Sequence, residues 1–381
     1  MADFDLKKPI FITCPKMIAP YLVKELTDLN FEIIKEQVTG VTVEANLFDC
    51  MSLNLKLRTA HRILYPILEG EATDLDQLYA LAYNQDWAPY IDIDGKFAVK
   101  CTVKNVDVNH TNIVNLKVKD AIADRFRADV GKRPNSGAGE ESLIISVNWV
   151  GKNVKMYIDL SGESLNRRSY KRDNWRASLQ ESLAAAIVME AGITSESLVH
   201  NPMCGSATLA LEAVMIQNGI WPGILRKDYS IQNIKDFPKD LWETIWRLHT
   251  NKPASAFRRI HASDKDVRAI KAARKNAHAL KVDNFIYWEV EDFKTAKQQY
   301  GDGERIFLMN PPYGIRMGSP KEIHELYTGI GDYLRGQKEP YKALVMSSEQ
   351  KLLDKIGLEP VKSQILYNTK IEIILNTYVG G

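Results

Sequence analysis

Several signals are scarce in this chain of 381 residues, and each scarcity removes a class of explanation. Cysteine occurs four times, at Cys14, Cys50, Cys101 and Cys204, with no CxxC spacing, so neither a zinc ligand set nor a disulfide framework is indicated. Buried thiols in a reducing cytosol are the expectation, and no metal is expected. No run approaches the roughly 18 apolar residues of a membrane span. The opening MADFDLKKPIF carries acids where a secretion signal needs bases, so a cytoplasmic setting without a membrane partner is expected. Charge of one sign is also missing: 50 Lys and Arg against 48 Asp and Glu leave a net charge of +2. A nucleic-acid partner therefore cannot be inferred from overall charge, although a local basic surface stays open.

What is present is ordinary globular material, 45% hydrophobic and 26% charged, long enough for two or three domains. Residues 9–16 read as a strand and 18–29 as an amphipathic helix. A strand region around Gly40 and a helix through Leu47, Met51 and Leu55 complete a small α+β unit, residues 1–64. A second unit, residues 65–164, holds a helix at LDQLYALAYNQDW, a strand at KFAVKCTVKN, a helix at IVNLKVKDAIADRFRADV and two strands, LIISVNWV and VKMYIDLSG. The last two are joined by a turn at residues 151–153.

From residue 165 the character changes. Arg167, Arg168, Lys171, Arg172 and Arg176 are interleaved with Tyr170 and Trp175, residue types that can grip phosphates and stack on bases. A solvated interdomain linker explains the same composition. Ser178 and Glu181 then have capping-box spacing before an Ala-rich helix ending near Gly192. Strands and helices alternate regularly afterwards, which predicts a mostly parallel sheet covered on both faces, closed by a hairpin turning at Asn368 and Thr369. Residues 219–255 form an insertion whose Trp242, Ile245 and Trp246 share one helical face and need no explanation beyond packing.

Four pieces carry chemistry. Residues 201–208, NPMCGSAT, form a strand-to-helix turn of small residues that lets a ligand approach backbone and helix end. The turn lacks GxGxxG and GK[ST], so a phosphate cradle is not the first reading. Asp264 ends the next strand, placed to accept hydrogen bonds from ribose hydroxyls, while Asp266 is better placed to cap the following helix. Asp292 and Phe293 follow the third strand, a carboxylate able to accept from an adenine amine beside a ring able to pack on it. Each is also a common turn or core residue. The fourth piece, RIFLMNPPYG at 305–314, is an apolar strand stopped by two prolines, which presents Asn310, Pro311, Pro312 and Tyr313 at its carboxyl end.

The NQDW segment and the KVKDAIADRFR helix resemble the THUMP domain of RNA-modifying enzymes. The order of the glycine-containing turn, the acid after strand two, Asp-Phe after strand three and NPPY after strand four resembles class I S-adenosylmethionine-dependent amino-methyltransferases. The whole arrangement is similar to the bacterial 23S ribosomal-RNA guanine-N2 methyltransferase family, whose members are often labelled adenine-specific DNA methylases. The resemblance implies a Rossmann-like catalytic domain with a mostly parallel seven-stranded sheet over residues 165–381, preceded by ferredoxin-like and THUMP domains. It implies S-adenosylmethionine as cofactor, held by Asn201, Pro202, Cys204, Gly205, Ser206, Thr208, Asp264, Asp292 and Phe293. Asn310 and the Pro311 carbonyl would accept the target amine's N–H groups, Pro312 would stiffen the turn and Tyr313 would stack on the base. Arg167, Arg168, Tyr170, Lys171 and Arg172 would touch RNA, in particular ribosomal RNA. Adenine-N6 methylation of RNA or DNA, and an RNA-binding assembly factor impaired in catalysis, are the alternatives. Three positions depart from the family's pattern: Asn201 stands for Asp, and Ala207 and Ser169 each stand for Gly. Ala207 is harmless at negative φ and costs about 1–2 kcal/mol if the turn is left-handed.

Overall fold

The structure, a computed structural model, describes residues 2–104, 110–173, 179–250, 260–296, 303–312 and 319–381. It divides into two compact units. One comprises Met1–Cys14, Val23–Leu165 and Arg226–Thr250, and the other Pro15–Leu22, Asn166–Leu225 and Asn251–Gly381. Residues 226–250 of the insertion, expected within the catalytic domain, therefore group with the amino-terminal unit.

That unit begins with β1 (Lys8–Thr13), α1 (Ala19–Asp28, of which the residues up to Leu22 group with the other unit), β2 (Ile33–Gln37), β3 (Gly40–Ala45) and α2 (Leu47–Lys56). Alternation in β3 buries Val41, Val43 and Ala45, and Asn46 caps α2 in a reciprocal box with Asp49. There follow β4 (Arg62–Glu71), α3 (Leu75–Asn84), β5 (Lys96–Lys104), α4 (Thr111–Val130), β6 (Asn135–Ser136), β7 (Ser142–Val150) and β8 (Asn153–Asp159). All eight strands form one sheet, ordered β2-β3-β1-β4-β8-β7-β5-β6. The boundary expected between residues 64 and 65 falls inside β4, which pairs with β1 on one edge and β8 on the other, so the backbone has no break there. From the insertion, Ile144 N–H donates to Ser230 Oγ (2.9 Å) and Trp242 packs edge-on against Tyr229.

The second unit contains α5 (Glu181–Ala191), β9 (Leu198–Pro202) and α6 (Thr208–Gln217); α7 (Lys239–Thr250) belongs to the first. It continues with β10 (Ile260–Asp264), α8 (Val267–Ala279), β11 (Ile286–Val290), β12 (Arg305–Met309), α9 (Pro320–Arg335), β13 (Tyr341–Ser347), β14 (Lys362–Asn368) and β15 (Ile371–Gly380). The seven strands are ordered β11-β10-β9-β12-β13-β15-β14. The first five are mutually parallel and β15 runs antiparallel to both neighbours. Strand order reverses between β9 and β12, and ligands of open α/β sheets bind beyond the carboxyl ends of strands at such a reversal. Those two ends carry Asn201-Pro202 and Asn310-Pro311.

The expected capping box of α5 is corrected. The helix begins at Glu181 behind an N-cap Gln180 that makes no side-chain cap, so Glu181 lies too early to reach back, and Ser178 is outside the described residues. Among the described residues, no helix is long and apolar enough to cross a membrane. Cys14, Cys50 and Cys204 are buried thiols and Cys101 is partly buried.

Candidate active site

Above the reversal lies a cavity of about 520 Å³ lined by Asn201, Gly205, Asp264, Asp292, Phe293 and Asn310 among others. That volume is in the usual range for a small-molecule site. Cys204, Ser206, Thr208, Pro311 and Pro312 also line it, whereas Pro202 closes β9 and is buried outside the lining.

The turn after β9 is built from left-handed residues. Met203, Gly205 and Ala207 have φ of 59°, 57° and 64°, so the chain coils tightly before entering α6. Ala207 is thus the costly case, an L-residue where glycine is at ease. It is also the N-cap of α6 and offers no side-chain cap, leaving the helix's positive end facing the cavity at Thr208 and Leu209. Cys204 N–H donates to the Ser263 carbonyl at 2.9 Å, and Gly205 N–H to Asp264 Oδ2 at 3.0 Å. The other oxygen of Asp264 accepts from Asp266 N–H at 2.9 Å. Burial pushes the Asp264 carboxyl above its ordinary range, against the pull of these two amides. Asp266 caps α8 through Arg268 N–H, the division of labour expected for the pair.

Backbone pairing of β9 with β12 ends at His200 and Phe307, where the strands part. Asn201 continues it with a side chain: Nδ2 donates to the Leu308 carbonyl at 2.7 Å in a fully buried setting. Two residues beyond Leu308, Asn310 is half-buried, and its Oδ1 is a buried acceptor with no hydrogen-bond partner among the described residues. Tyr313 lies outside the described residues. Asp292 Oδ1 accepts from Lys294 N–H at 3.0 Å, shaping its own turn, and Phe293 is 4% exposed, edge-on to Tyr333 at 5.5 Å in the core beneath the cavity.

The basic segment requires a correction. Arg168 and Tyr170 are buried at 2% and 0% exposure, which leaves no surface for a phosphate or a base. Both meet Glu212 inside α6: Arg168 Nε at 3.3 Å and Tyr170 Oη, donating, at 3.0 Å. Burial and the Glu212 carboxylate hold the Tyr170 hydroxyl well above the ordinary phenol range. Lys171 is also turned inward, donating to the Leu179 carbonyl at 2.8 Å and lying 3.5 Å from Glu181. Arg167 and Arg172 remain exposed, and Trp175 and Arg176 are outside the described residues. Ser169 is left-handed (φ 59°), like Ala207 at a position where the family pattern has glycine.

Two contributors escaped the sequence reading. Glu322, Ile323 and Leu326 of α9 form another wall; the SPKE box at Ser319 and Glu322 announces that helix. Asn276, buried on the alanine stripe of α8, accepts from Arg172 N–H and Asp173 N–H (2.9 and 3.0 Å) and donates to the Asp173 and Ser206 carbonyls (3.0 and 3.2 Å). An asparagine on an apolar helical stripe was its signal.

The strand order and a cavity at the reversal define a Rossmann-like, doubly wound α/β fold. Comparison with known proteins agrees. The family profile described as RMKL-like, methyltransferase domain matches residues 168–376, preceded by the RlmL ferredoxin-like domain over 9–64 and the THUMP domain over 72–159. The chain belongs to this RMKL-like methyltransferase family. Ribosomal RNA large subunit methyltransferase K/L of Syntrophotalea carbinolica is 32% identical over 95% of the chain, and the chain spans about half of that relative (52%). Slr0064 of Synechocystis, provisionally described as an RNA methyltransferase, is 30% identical over 92% of the chain and 91% of its own length. A crystal structure of a possible methylase from Clostridium difficile 630 superposes with a TM-score of 0.90 at 26% identity, covering 99% of both chains. SMU.472, solved with SAH bound, shares the fold at a TM-score of 0.90 and 22% identity over 98% of both.

Proposed function

We propose that the chain is an S-adenosylmethionine-dependent RNA methyltransferase acting on the exocyclic amine of a guanine in large-subunit ribosomal RNA. The observation that carries this reading is Asn310 Oδ1, a buried acceptor without a partner among the described residues, in the lining of a cavity over the strand-order reversal. The residues present suit the cofactor. Asp264 keeps carboxylate lone pairs for ribose hydroxyls beyond its two amide contacts, the positive end of α6 suits a carboxylate, and Phe293, Ile323 and Leu326 supply apolar wall. When bound, the cofactor supplies a methyl group on a sulfonium sulfur.

A nucleobase amine is a weak nucleophile because its lone pair is delocalised into the ring. Asn310 Oδ1 and the Pro311 carbonyl accept its two N–H groups, which directs the nitrogen lone pair into the cavity. Pro311 and Pro312 fix the backbone that presents these acceptors, and Tyr313 stacks on the base. Rate enhancement then comes from positioning rather than from a strong acid or base. A paired base cannot enter, so the target is unpaired or flipped. THUMP, with the exposed Arg167 and Arg172, holds the RNA. The names of the K/L relatives support ribosomal RNA as substrate.

Undermethylated 23S ribosomal RNA incubated with the chain and labelled S-adenosylmethionine, then digested to nucleosides, tests this. N2-methylguanosine is expected. N6-methyladenosine would replace guanine by adenine, since the same acceptors fit either amine. Folded protein that binds no cofactor by calorimetry would remove the enzymatic reading altogether.

A further inference from the structure

Beneath α9, one face of the sheet carries polar groups that the methyl-transfer reading leaves unused. His200 and His261 are register partners on β9 and β10, so their side chains share a face, with ring centroids 4.4 Å apart. Glu291 follows β11 beside them. One ligand atom from each of His200, His261 and Glu291 lies within 4.8 Å of the others.

The surrounding contacts orient both imidazoles. Tyr333 Oη lies 3.0 Å from Nδ1 of His200, and Glu289 Oε2 lies 2.9 Å from Nε2 of His261. Each imidazole keeps a second ring nitrogen, Nε2 of His200 and Nδ1 of His261. Metal-bound histidines are held this way, the distal nitrogen engaged by a carboxylate or another oxygen that fixes tautomer and ring angle. Two imidazoles and one carboxylate, without thiolate, form a donor set for Zn²⁺ and its neighbours rather than for Ca²⁺ or Mg²⁺.

We propose that His200, His261 and Glu291 bind one divalent transition-metal ion, Zn²⁺ by donor type, at the wall of the cavity that Glu291 also lines. Ligands of a tetrahedral zinc stand about 3.3 Å apart, from bonds of about 2.0–2.1 Å. The three side chains therefore close by up to about 1.5 Å on binding. Glu291 immediately precedes Asp292 and Phe293, so the ion fastens the loop carrying both to β9 and β10. This inference is independent of the methyl-transfer reading, and its test uses neither cofactor nor RNA.

The 381-residue chain is stripped with a chelator, loaded with Zn²⁺ or Co²⁺, passed through gel filtration and assayed for retained metal, with visible Co²⁺ spectra recorded. One ion per chain and intense tetrahedral Co²⁺ bands are expected. His261→Ala should reduce retention at least tenfold. Glu291→Gln, at a less buried position, should do the same with the fold intact by circular dichroism, covering the case in which His261→Ala misfolds. Glu289→Gln, which touches only the outer contact, should weaken binding by roughly 10–100-fold. No retained metal, or retention unchanged in folded Glu291→Gln, overturns the proposal and leaves a hydrogen-bonded histidine–glutamate cluster.

Discussion

Two Asn-Pro dipeptides, Asn201-Pro202 and Asn310-Pro311, end neighbouring parallel strands on either side of the strand-order reversal. They do different work. Asn201 is fully buried and spends its amide on the Leu308 carbonyl, bridging β9 and β12 where their backbones stop pairing. Asn310 stands two residues beyond that bridge, half-buried; the Oδ1 of both asparagines is a buried acceptor without a partner among the described residues, so what separates them is Asn201's Nδ2 clasp and its deeper burial. The same residue pair, pushed into the same extended entry by the proline, is a clasp at one strand end and, under the proposed reading, the amine acceptor at the other. The separation of the strands, not the dipeptide, assigns the roles.

The sharpest way to break this comparison is to remove each amide in turn. Asn310→Ala should lower kcat/KM for methyl transfer on the order of 100-fold through lost positioning of the amine, with an unchanged unfolding midpoint. Asn201→Ala should do the reverse in kind. It leaves the Leu308 carbonyl without its donor and should cost about 1–3 kcal/mol in urea unfolding, with transfer reduced only as far as the cavity loosens. If the alanine at 310 costs the stability and the one at 201 spares it, the assignment of clasp and chemical group is inverted.

How much of this could be read without coordinates depends on where the determinants lie along the chain. β12 was plain because Ile306–Met309 is apolar and two prolines stop it, and α6 because its apolar run follows a turn of small residues. Arg168 and Tyr170 were misread, since composition cannot distinguish a phosphate grip from a buried ion pair. The missing clue was far away: Glu212, an acid inside an otherwise apolar helix, needs a partner. The wall supplied by α9 and the four hydrogen bonds of Asn276 were missed for a similar reason, being assembled by the sheet from distant segments. Residues 226–250 show the limit from another side, because local periodicity says what an element is and not which core receives it.

A pH series sharpens the contrast from the Asp264 side, where the turn beyond Asn201 is held. Burial raises the folded-state pKa of Asp264 above 3.8. In the window between 3.8 and that raised value the folded chain binds more protons than the unfolded one. This residue's contribution to stability therefore grows as pH falls through the window, by at most about 1.4 kcal/mol per pH unit. The ribose binding proposed for Asp264 needs the carboxylate and should weaken through the same window. Measured relative to Asp264→Asn, thermal stability should therefore rise and cofactor affinity fall as pH drops through this window. At Asn310, which does not titrate, no such pair of trends is expected.

The smallest effects test the two left-handed residues that stand where the family pattern has glycine. Relieving an L-residue of positive φ returns about 1–2 kcal/mol, while glycine loses about 0.4–1 kcal/mol through the freer unfolded chain. Ser169 is exposed, so Ser169→Gly forfeits no packing and should stabilise by up to about 1.6 kcal/mol in urea unfolding. Ala207 is fully buried, and Ala207→Gly also gives up a buried methyl, about 0.8 kcal/mol, which should bring its net effect close to zero. Cofactor affinity should stay level in both, because a backbone already coiled at φ 64° keeps its coil when the methyl leaves. A several-fold gain in affinity for Ala207→Gly alone would mean instead that the methyl holds the turn away from its ligand, and that the cofactor side of the reversal, rather than Asn310, limits the enzyme.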